Sequence, residues 1–338
     1  MRHPAAHSEA QMNVIPLLSA SNERGARMLR TALGPHIAVW LDDPRIVEIM
    51  LNPDGRLWTD SYAGGLKDSG VTMSAQTGER IIRLLAHHAS EQIHFDAPRL
   101  STELPVTGER FEGLLPPLVT APSFAIRKPA SQIFSLEDYV RSGIMSARAA
   151  SVLATGVRQR ANILVAGGTS SGKTTLVNAL LAEIAKTQHR VVLIEDTREL
   201  QCDAPNLVAL RTRAGIATLA DLVRSALRLR PDRIPIGEVR GAEALDLIKA
   251  WGTGHPGGVG TIHAGSASGT LRRLEQLIQE AVVTVPRALI AETIDIIAVL
   301  TRDHQGRKLT ELVQVQGLDA SGEYQLCSLI DTPQGEGR

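Results

Sequence analysis

Small residues, glycines and one lysine between positions 166 and 175 have the spacing of a phosphate-binding loop. Residues Gly167–Thr174 fit the pattern G-x-x-x-x-G-K-[ST] in full, with an apolar run before them and an amphipathic segment after them. Glycines let the backbone turn so that N–H groups point at phosphate oxygens, and the start of a helix adds partial positive charge. We therefore predict a nucleotide site formed by Gly167, Gly168, Thr169, Ser170, Ser171, Gly172, Lys173, Thr174 and Thr175.

The same pattern assigns roles to two of these residues. Lys173 is expected to reach the β- and γ-phosphates, as a catalytic residue, and the hydroxyl of Thr174 is expected to bind Mg²⁺. The guanine-reading pattern Asn-Lys-x-Asp is absent from the chain, so we expect ATP and not GTP. The alternative is a glycine turn that has this spacing by chance, which the flanking strand and helix disfavour.

Acidic residues follow the next apolar run, VVLIEDTREL. Glu195 ends this predicted strand, and the carboxyl ends of parallel strands line the ligand crevice of such sheets. We predict that Glu195 is catalytic, orienting water or Mg²⁺. The alternative is that it caps the next helix or pairs with Arg198, and the roles of Asp196 and Glu199 stay open between the same two possibilities.

A second acid ends the segment RPDRIPIGEVRG. Ile234 and Ile236 alternate inward, and Glu238 emerges at the end of the predicted strand. The position before it, where a Walker B strand usually has aspartate, is Gly237. We predict that Glu238 positions or polarises the attacking water; the alternative is a solvated carboxylate paired with Arg240.

Two histidines flank the glycine-rich segment GTGHPGGVGTIHAG. His263 ends a predicted strand, where a donor can contact the γ-phosphate, so we predict a catalytic role for it. A packed polar side chain is the alternative for His263, and the role of His255 stays open.

The elements that must position these residues form two domains. Residues 159–338 alternate strands with helices, which predicts a parallel, covered sheet, while residues 21–130 read as a smaller α+β domain. Residues 1–20 are expected to be a flexible leader and residues 131–158 a helical linker, in which Ser135 and Asp138 have the spacing of a capping box. The overall fold class is therefore α/β.

Bulk composition limits the possible functions. The 338 residues carry 36 basic and 36 acidic side chains, and only 3% are aromatic, which argues against stable nucleic-acid binding. Two distant cysteines exclude a four-cysteine zinc site. No apolar signal core or membrane-spanning stretch is present, so we expect a cytoplasmic protein.

In these motifs the chain resembles the secretion and conjugation traffic ATPases of the type IV branch, most closely the TrbB-type conjugal-transfer ATPases. The segments that carry the resemblance are RLSTELP, GERFEGLLPP, FAIRKP, AGGTSSGKTT, LIEDTRELQ, LRLRPDRIPIGEVRG and GTGHPGGVGTIHAG. Gly237 in place of aspartate agrees with this family. The resemblance implies a homo-hexameric ring with a RecA-like P-loop ATPase domain, in which ATP and Mg²⁺ lie between the two domains.

The family motifs also assign arginines of the N-terminal half to the phosphates. Arg110 and Arg127 are expected to be catalytic, and the role of Arg99 stays open; the alternative is pairing with surface carboxylates such as Glu103 and Glu109. The implied function is a motor that energises conjugative transfer or type IV secretion, docked peripherally on inner-membrane components of the channel. The competing functions are a nucleic-acid-stimulated ATPase or helicase and an ATP-binding assembly scaffold.

Overall fold

The computed structural model of the chain describes residues 17–61, 64–105, 107–129, 133–213, 215–303 and 306–330. The chain divides into two compact units between positions 131 and 132. Each unit has its own sheet and its own apolar core, and the predicted α/β fold class is confirmed. Most of the expected leader, residues 1–20, lies outside the described residues.

The first unit is an α+β fold on a six-stranded antiparallel sheet. Its elements are α1 (Leu17–Asp42), β1 (Ile46–Leu51), β2 (Arg56–Ser61), β3 (Gly65–Thr72), α2 (Ala75–Ala89), β4 (Arg99–Glu103), β5 (Arg110–Leu114) and β6 (Ser123–Arg127). The strands run in the order β3-β2-β1-β6-β5-β4 across the sheet. α1 is kinked at Gly34, which has non-helical backbone angles and precedes a proline.

Local sequence explains how α2 covers this sheet. The hydroxyl of Ser74 accepts a hydrogen bond from the N–H of Thr77, which caps the start of the helix. Ile81, Ile82 and Leu85 share one helix face and are at most 1% exposed. They pack into the core of the sheet and hold α2 against it.

The second unit is an α/β fold on an eight-stranded sheet. Its elements are α3 (Leu136–Arg141), α4 (Ala147–Arg158), β7 (Ile163–Gly167), α5 (Lys173–Ala185), β8 (Val191–Glu195), β9 (Leu207–Arg211), α6 (Leu219–Ala226), β10 (Ile236–Val239), α7 (Glu243–Gly252), β11 (Val259–Ile262), α8 (Ala267–Gln279), α9 (Arg287–Thr293), β12 (Ile296–Asp303), β13 (Gly306–Leu318) and β14 (Tyr324–Ser328). The order across the sheet is β14-β13-β12-β7-β11-β10-β8-β9. The six strands from β12 to β9 are parallel, and β13 and β14 add an antiparallel edge.

Helices cover both faces of this sheet, as its nearly continuous apolar strands require. Ile163 and Val165 of β7 face a core shared with α3, α4 and α5. Leu164 and Ala166 face the opposite core, shared with α6, α7, α8 and α9. β7 is therefore buried on both sides and fixes the start of the phosphate loop.

The segment predicted as a linker, residues 131–158, contains α3 and α4. The predicted capping box is present at the start of α3, where the side chains and backbone N–H groups of Ser135 and Asp138 bond reciprocally. Tyr139, Leu153 and Val157 pack into the same core as α5. These two helices therefore belong to the second compact unit.

Candidate active site

The phosphate-loop residues connect β7 to α5 at the carboxyl edge of the second sheet. Gly172 is the N-cap residue of α5, with a φ of 97° that favours glycine, and it supplies no side-chain acceptor for the first N–H groups of the helix. A Cβ on Gly167 would overlap the carbonyl oxygen of Leu300 on β12, so only glycine fits there. The loop therefore offers main-chain donors and the positive end of a helix dipole, as an anion site requires.

Lys173 folds its ammonium group back over this loop. Its Nζ donates to the carbonyl oxygens of Gly167, at 3.1 Å, and Gly168, at 3.0 Å, and the residue is only 8% exposed. The same atom lies 3.3 Å from Nε2 of His263. Phosphate oxygens would replace neutral carbonyl acceptors with charged ones, which form stronger hydrogen bonds to an ammonium group.

Glu238, predicted to position water, lies beside the histidine predicted to contact the phosphate. Its Oε1 is 3.0 Å from Nε2 of His263, while its Oε2 accepts a hydrogen bond of 2.6 Å from Nε of Arg240. Within the described ranges no hydrogen-bond donor is aligned on Oε1. The pairing with Arg240 and the contact with His263 thus occur together, on different oxygens of one carboxylate.

The order of the strands explains this arrangement. β11 lies between β7 and β10 in the sheet, so His263, which follows β11, lies between the loop after β7 and the end of β10. Burial lowers the pKa of His263 from its ordinary value and the charge of Lys173 lowers it further, whereas Glu238 acts in the opposite direction. A largely neutral imidazole at neutral pH follows, with one nitrogen that donates and one that accepts.

Glu195 is buried at the end of β8. Its Oε2 accepts hydrogen bonds of 2.9 Å from the N–H groups of Glu199 and Leu200, so it holds the following turn in place. Burial raises the pKa of its carboxyl group, and the two N–H donors oppose that shift. A Cβ on Gly237 would lie 3.1 Å from Cβ of Glu195, so the space that a Walker B aspartate would enter borders on Glu195. Because residues 196–206 contain no helix and the next element is β9, Glu195 supports a turn and does not cap a helix. A catalytic role for Glu195 stays a prediction.

The structure brings one residue to the site that the sequence analysis left open. The hydroxyl of Thr174 donates to Oε2 of Glu199 at 3.3 Å, which joins the expected magnesium ligand to a carboxylate. The spacing of 25 residues gave no signal for this pair. The only available signal was the position of Glu199 in the acidic segment after β8.

The other two open residues occupy different surroundings. Asp196 accepts a hydrogen bond of 2.9 Å from the hydroxyl of Thr212 and lies 3.9 Å from Arg240. His255 lies before β11, beyond the opposite end of that strand from His263, and its Nδ1 is 2.9 Å from the carbonyl oxygen of Pro231. The structure therefore separates the two histidines.

A cavity of about 410 Å³ adjoins the phosphate loop within the second unit. Arg307 of β13 borders it and directs its Nε to the carbonyl oxygen of Ser170, at 3.4 Å. The rings of Phe134 and Tyr139 lie edge to face, with their centroids 6.5 Å apart, and contribute apolar surface to the cavity. Its size and mixed lining are those of a small-molecule pocket. The predicted loop residues Ser171, Gly172 and Thr175 also line it, whereas Phe134, Tyr139 and Arg307 carried no sequence signal for this site.

The predicted arginines belong to the first unit. Arg110 on β5 and Arg127 on β6 are direct cross-strand partners, so their side chains leave the same face of the sheet. Arg99 on β4 lies 3.8 Å from a carboxylate oxygen of Glu112. The roles of all three at the phosphates stay predictions.

Among the described residues, every helix lacks the combination of length and apolar content needed to cross a bilayer. The model of the family described as "Type II/IV secretion system protein" matches residues 99–329, more than half of the chain.

Individual relatives agree with this match. The chain is 46% identical over 320 residues to a probable conjugal transfer protein TrbB of Sinorhizobium fredii. This alignment covers 94% of this chain and 98% of that protein. It is 35% identical to the type IV secretion system protein PtlH of Bordetella pertussis, over 78% of this chain and 87% of that protein. The crystal structure of the Legionella pneumophila ATPase DotB has a similar fold, with a TM-score of 0.57, 19% identity, and coverage of 89% of this chain and 82% of that one.

Proposed function

Because this chain belongs to the type II/IV secretion system protein family, we propose that it is an ATP-hydrolysing motor for a conjugative transfer or type IV secretion channel. Six copies would form a ring, and each copy would contribute two domains, residues 21–130 and residues 159–338. One observation carries the proposal: at the phosphate loop, His263 contacts Lys173 at 3.3 Å and Glu238 at 3.0 Å. A charge for the phosphates, a neutral imidazole and an acid for water are thereby adjacent.

Nucleotide binding is the first proposed step. The triphosphate would lie on residues 167–175, where main-chain N–H groups and Lys173 meet its oxygens. Adenine and ribose would enter the adjoining cavity, against the apolar surfaces of Phe134 and Tyr139, with Arg307 at its rim. Binding therefore uses residues from both α3 and β13 besides the loop itself.

A magnesium ion is expected with the triphosphate. Bound Mg²⁺ would neutralise charge on the β- and γ-phosphates as the terminal phosphoryl group leaves. The hydroxyl of Thr174 and the carboxylate of Glu199 suit it, because hard oxygen donors are its preferred ligands. We propose Thr174 as the ligand and Glu199 as the group that orients it.

Hydrolysis would then use the acid at the end of β10. Oε1 of Glu238, on which no donor is aligned in the part of the chain that the structure describes, would hold and polarise the attacking water. His263 would sense the γ-phosphate through its ring, and Lys173 would stabilise the negative charge that develops. Glu195 would support this geometry by holding the turn that carries Glu199.

Two arginines of the first unit and the location of the ring complete the proposal. Arg110 and Arg127 would add guanidinium groups to the departing phosphoryl group, since a planar fork matches phosphate oxygens. The ring is proposed to work in the cytoplasm, docked peripherally on inner-membrane components of the channel, without stable nucleic-acid binding.

The proposal is tested by measuring particle mass in solution with and without ATP and Mg²⁺, together with phosphate release. We expect a particle with the mass of six chains, and Mg²⁺-dependent phosphate release that Lys173→Ala abolishes. Full turnover in that variant would refute the site, and nucleotide binding without turnover would favour an assembly scaffold. A steep, salt-sensitive acceleration by single-stranded DNA would favour the helicase alternative.

A further inference from the structure

Asn178 is a buried polar residue on α5 that the reaction described above does not use. It is 1% exposed, and both ends of its amide are bonded to one turn of the chain. Its Nδ2 donates to the carbonyl oxygen of Glu199 at 3.1 Å, and its Oδ1 accepts from the N–H of Gln201 at 3.0 Å. Its whole hydrogen-bonding geometry is therefore directed at the segment that carries Glu199.

Asn178 lies one helical turn after Thr174, on the same face of α5. The bonds from Asn178 lay the 199–201 turn along this face, and the carboxylate of Glu199 then meets the hydroxyl of Thr174 at 3.3 Å. From the other side, Glu195 accepts the N–H groups of residues 199 and 200. Two buried side chains thus receive three successive N–H groups, which fixes where Glu199 points.

We propose that Asn178 is a positioning residue for the magnesium site, acting through Glu199 and not through the nucleotide. The inference rests on the proposed function, because it assigns Asn178 to the orientation of the Thr174–Glu199 pair. Residues that orient metal ligands from outside typically change metal affinity or activity by about 10- to 100-fold when they are lost. We expect Asn178→Ala to weaken Mg²⁺-dependent nucleotide binding and turnover within this range.

The test is a double-mutant cycle of Asn178→Ala with Glu199→Gln in the full-length chain. Two readouts are taken: the affinity for a fluorescent ATP analogue with and without Mg²⁺, and phosphate release as a function of Mg²⁺ concentration. If Asn178 acts through Glu199, its loss has an effect of 10-fold or more in the wild-type background and less than 3-fold in the Glu199→Gln background. Equal effects in both backgrounds would overturn the inference.

A matched control separates positioning from loss of folding. Asn162 is also a buried asparagine, 4% exposed, which accepts from the N–H groups of Gly257 and Gly258 and donates to the carbonyl oxygen of Thr293. It precedes β7, at the opposite end of that strand from the loop. Asn162→Ala should lower the melting temperature without changing the Mg²⁺ concentration for half-maximal activity.

A second variant distinguishes the loss of the hydrogen bond from a local collapse around a smaller side chain. Asn178→Asp keeps the side-chain size and the acceptor for Gln201 but faces an oxygen to the carbonyl group of Glu199, so the same Mg²⁺ defect is expected. An unchanged Mg²⁺ dependence in this variant would contradict the inference. If wild-type protein binds Mg²⁺ and nucleotide but releases no phosphate, the motor proposal fails while the binding cycle still decides the role of Asn178.

Discussion

Replacing Glu238 with glutamine tests the proposed chemistry with little change in shape. The side chain is 15% exposed and keeps an oxygen that can accept from Arg240, so the packing is preserved. Arg240 is about half exposed, so water can solvate its guanidinium group when the partner charge is lost, and the fold should tolerate the substitution. The variant therefore changes the reacting carboxylate and little else.

The expected effect is a large loss of turnover. Positioned acid–base groups contribute about 100- to 10,000-fold to a rate. At about 1.4 kcal/mol per factor of ten, this corresponds to about 3 to 6 kcal/mol in activation free energy. We expect ATP binding to persist, because Glu238 contacts His263 and Arg240 and does not belong to the phosphate loop. The loss should therefore appear in kcat and not in the nucleotide affinity.

The assay is phosphate release at saturating ATP and Mg²⁺, with affinity from a fluorescent ATP analogue and melting temperature as a folding check. Glu275→Gln is the matched control: its carboxylate is also largely buried and ion-paired, at 2.8 Å from Arg287 on α9, but it lies on α8. It should leave kcat unchanged. A kcat within 3-fold of wild type in Glu238→Gln would refute the assignment of this acid to the attacking water.

Three further predictions concern histidines and glycines. The pKa of His263 is lowered and its neutral ring is the proposed active form, so kcat should fall only as pH drops below the ordinary histidine value of about 6.5. Glu238→Gln removes the charge that raises this pKa, so His263 followed by NMR should titrate at lower pH still. Gly167→Ala should destabilise the second unit by about 1–3 kcal/mol through overlap with Leu300, as measured by thermal unfolding. Gly168→Ala is the control, because the added Cβ has open space around it and should leave the melting temperature unchanged. Equal shifts in the two variants would contradict the steric argument. Nδ1 of His189 accepts a hydrogen bond from Nε of Arg233 at 2.9 Å. Burial and the charges of Arg233 and Arg160 lower the pKa of His189, and the charge of Asp232 opposes them. The protein should therefore lose stability as pH falls below about 6.5, because the unfolded state then binds the extra proton. In His189→Gln, unfolding followed between pH 5 and 7 should depend less on pH, and an unchanged slope would refute this explanation.

Local motifs were predictable because each depends on residues that are close in sequence. The loop at residues 167–174 needs only a strand end, two glycines and a helix start, all within one short segment. The capping box at Ser135 and Asp138 depends on a spacing of three residues, and it is present. The alternation of strands and helices likewise predicted a covered parallel sheet, although not the antiparallel edge formed by β13 and β14.

The contacts at the site depend on strand order, which the sequence pattern does not give. That β11 lies between β7 and β10 decides that His263 meets both Lys173 and Glu238. The sequence suggested the three residues separately, as strand-end and loop groups, but not their distances.

The chain's sequence alone determined the phosphate loop, the fold class and the acids at strand ends, because these follow from short-range spacing and from apolar periodicity. Only the tertiary structure decided that Glu199 lies against Thr174 and that Asn178 holds it there. The physical reason is that both contacts join α5 to the turn after β8, across 25 and 21 residues of the chain. Such contacts form only when packing of the two elements on one sheet brings them together.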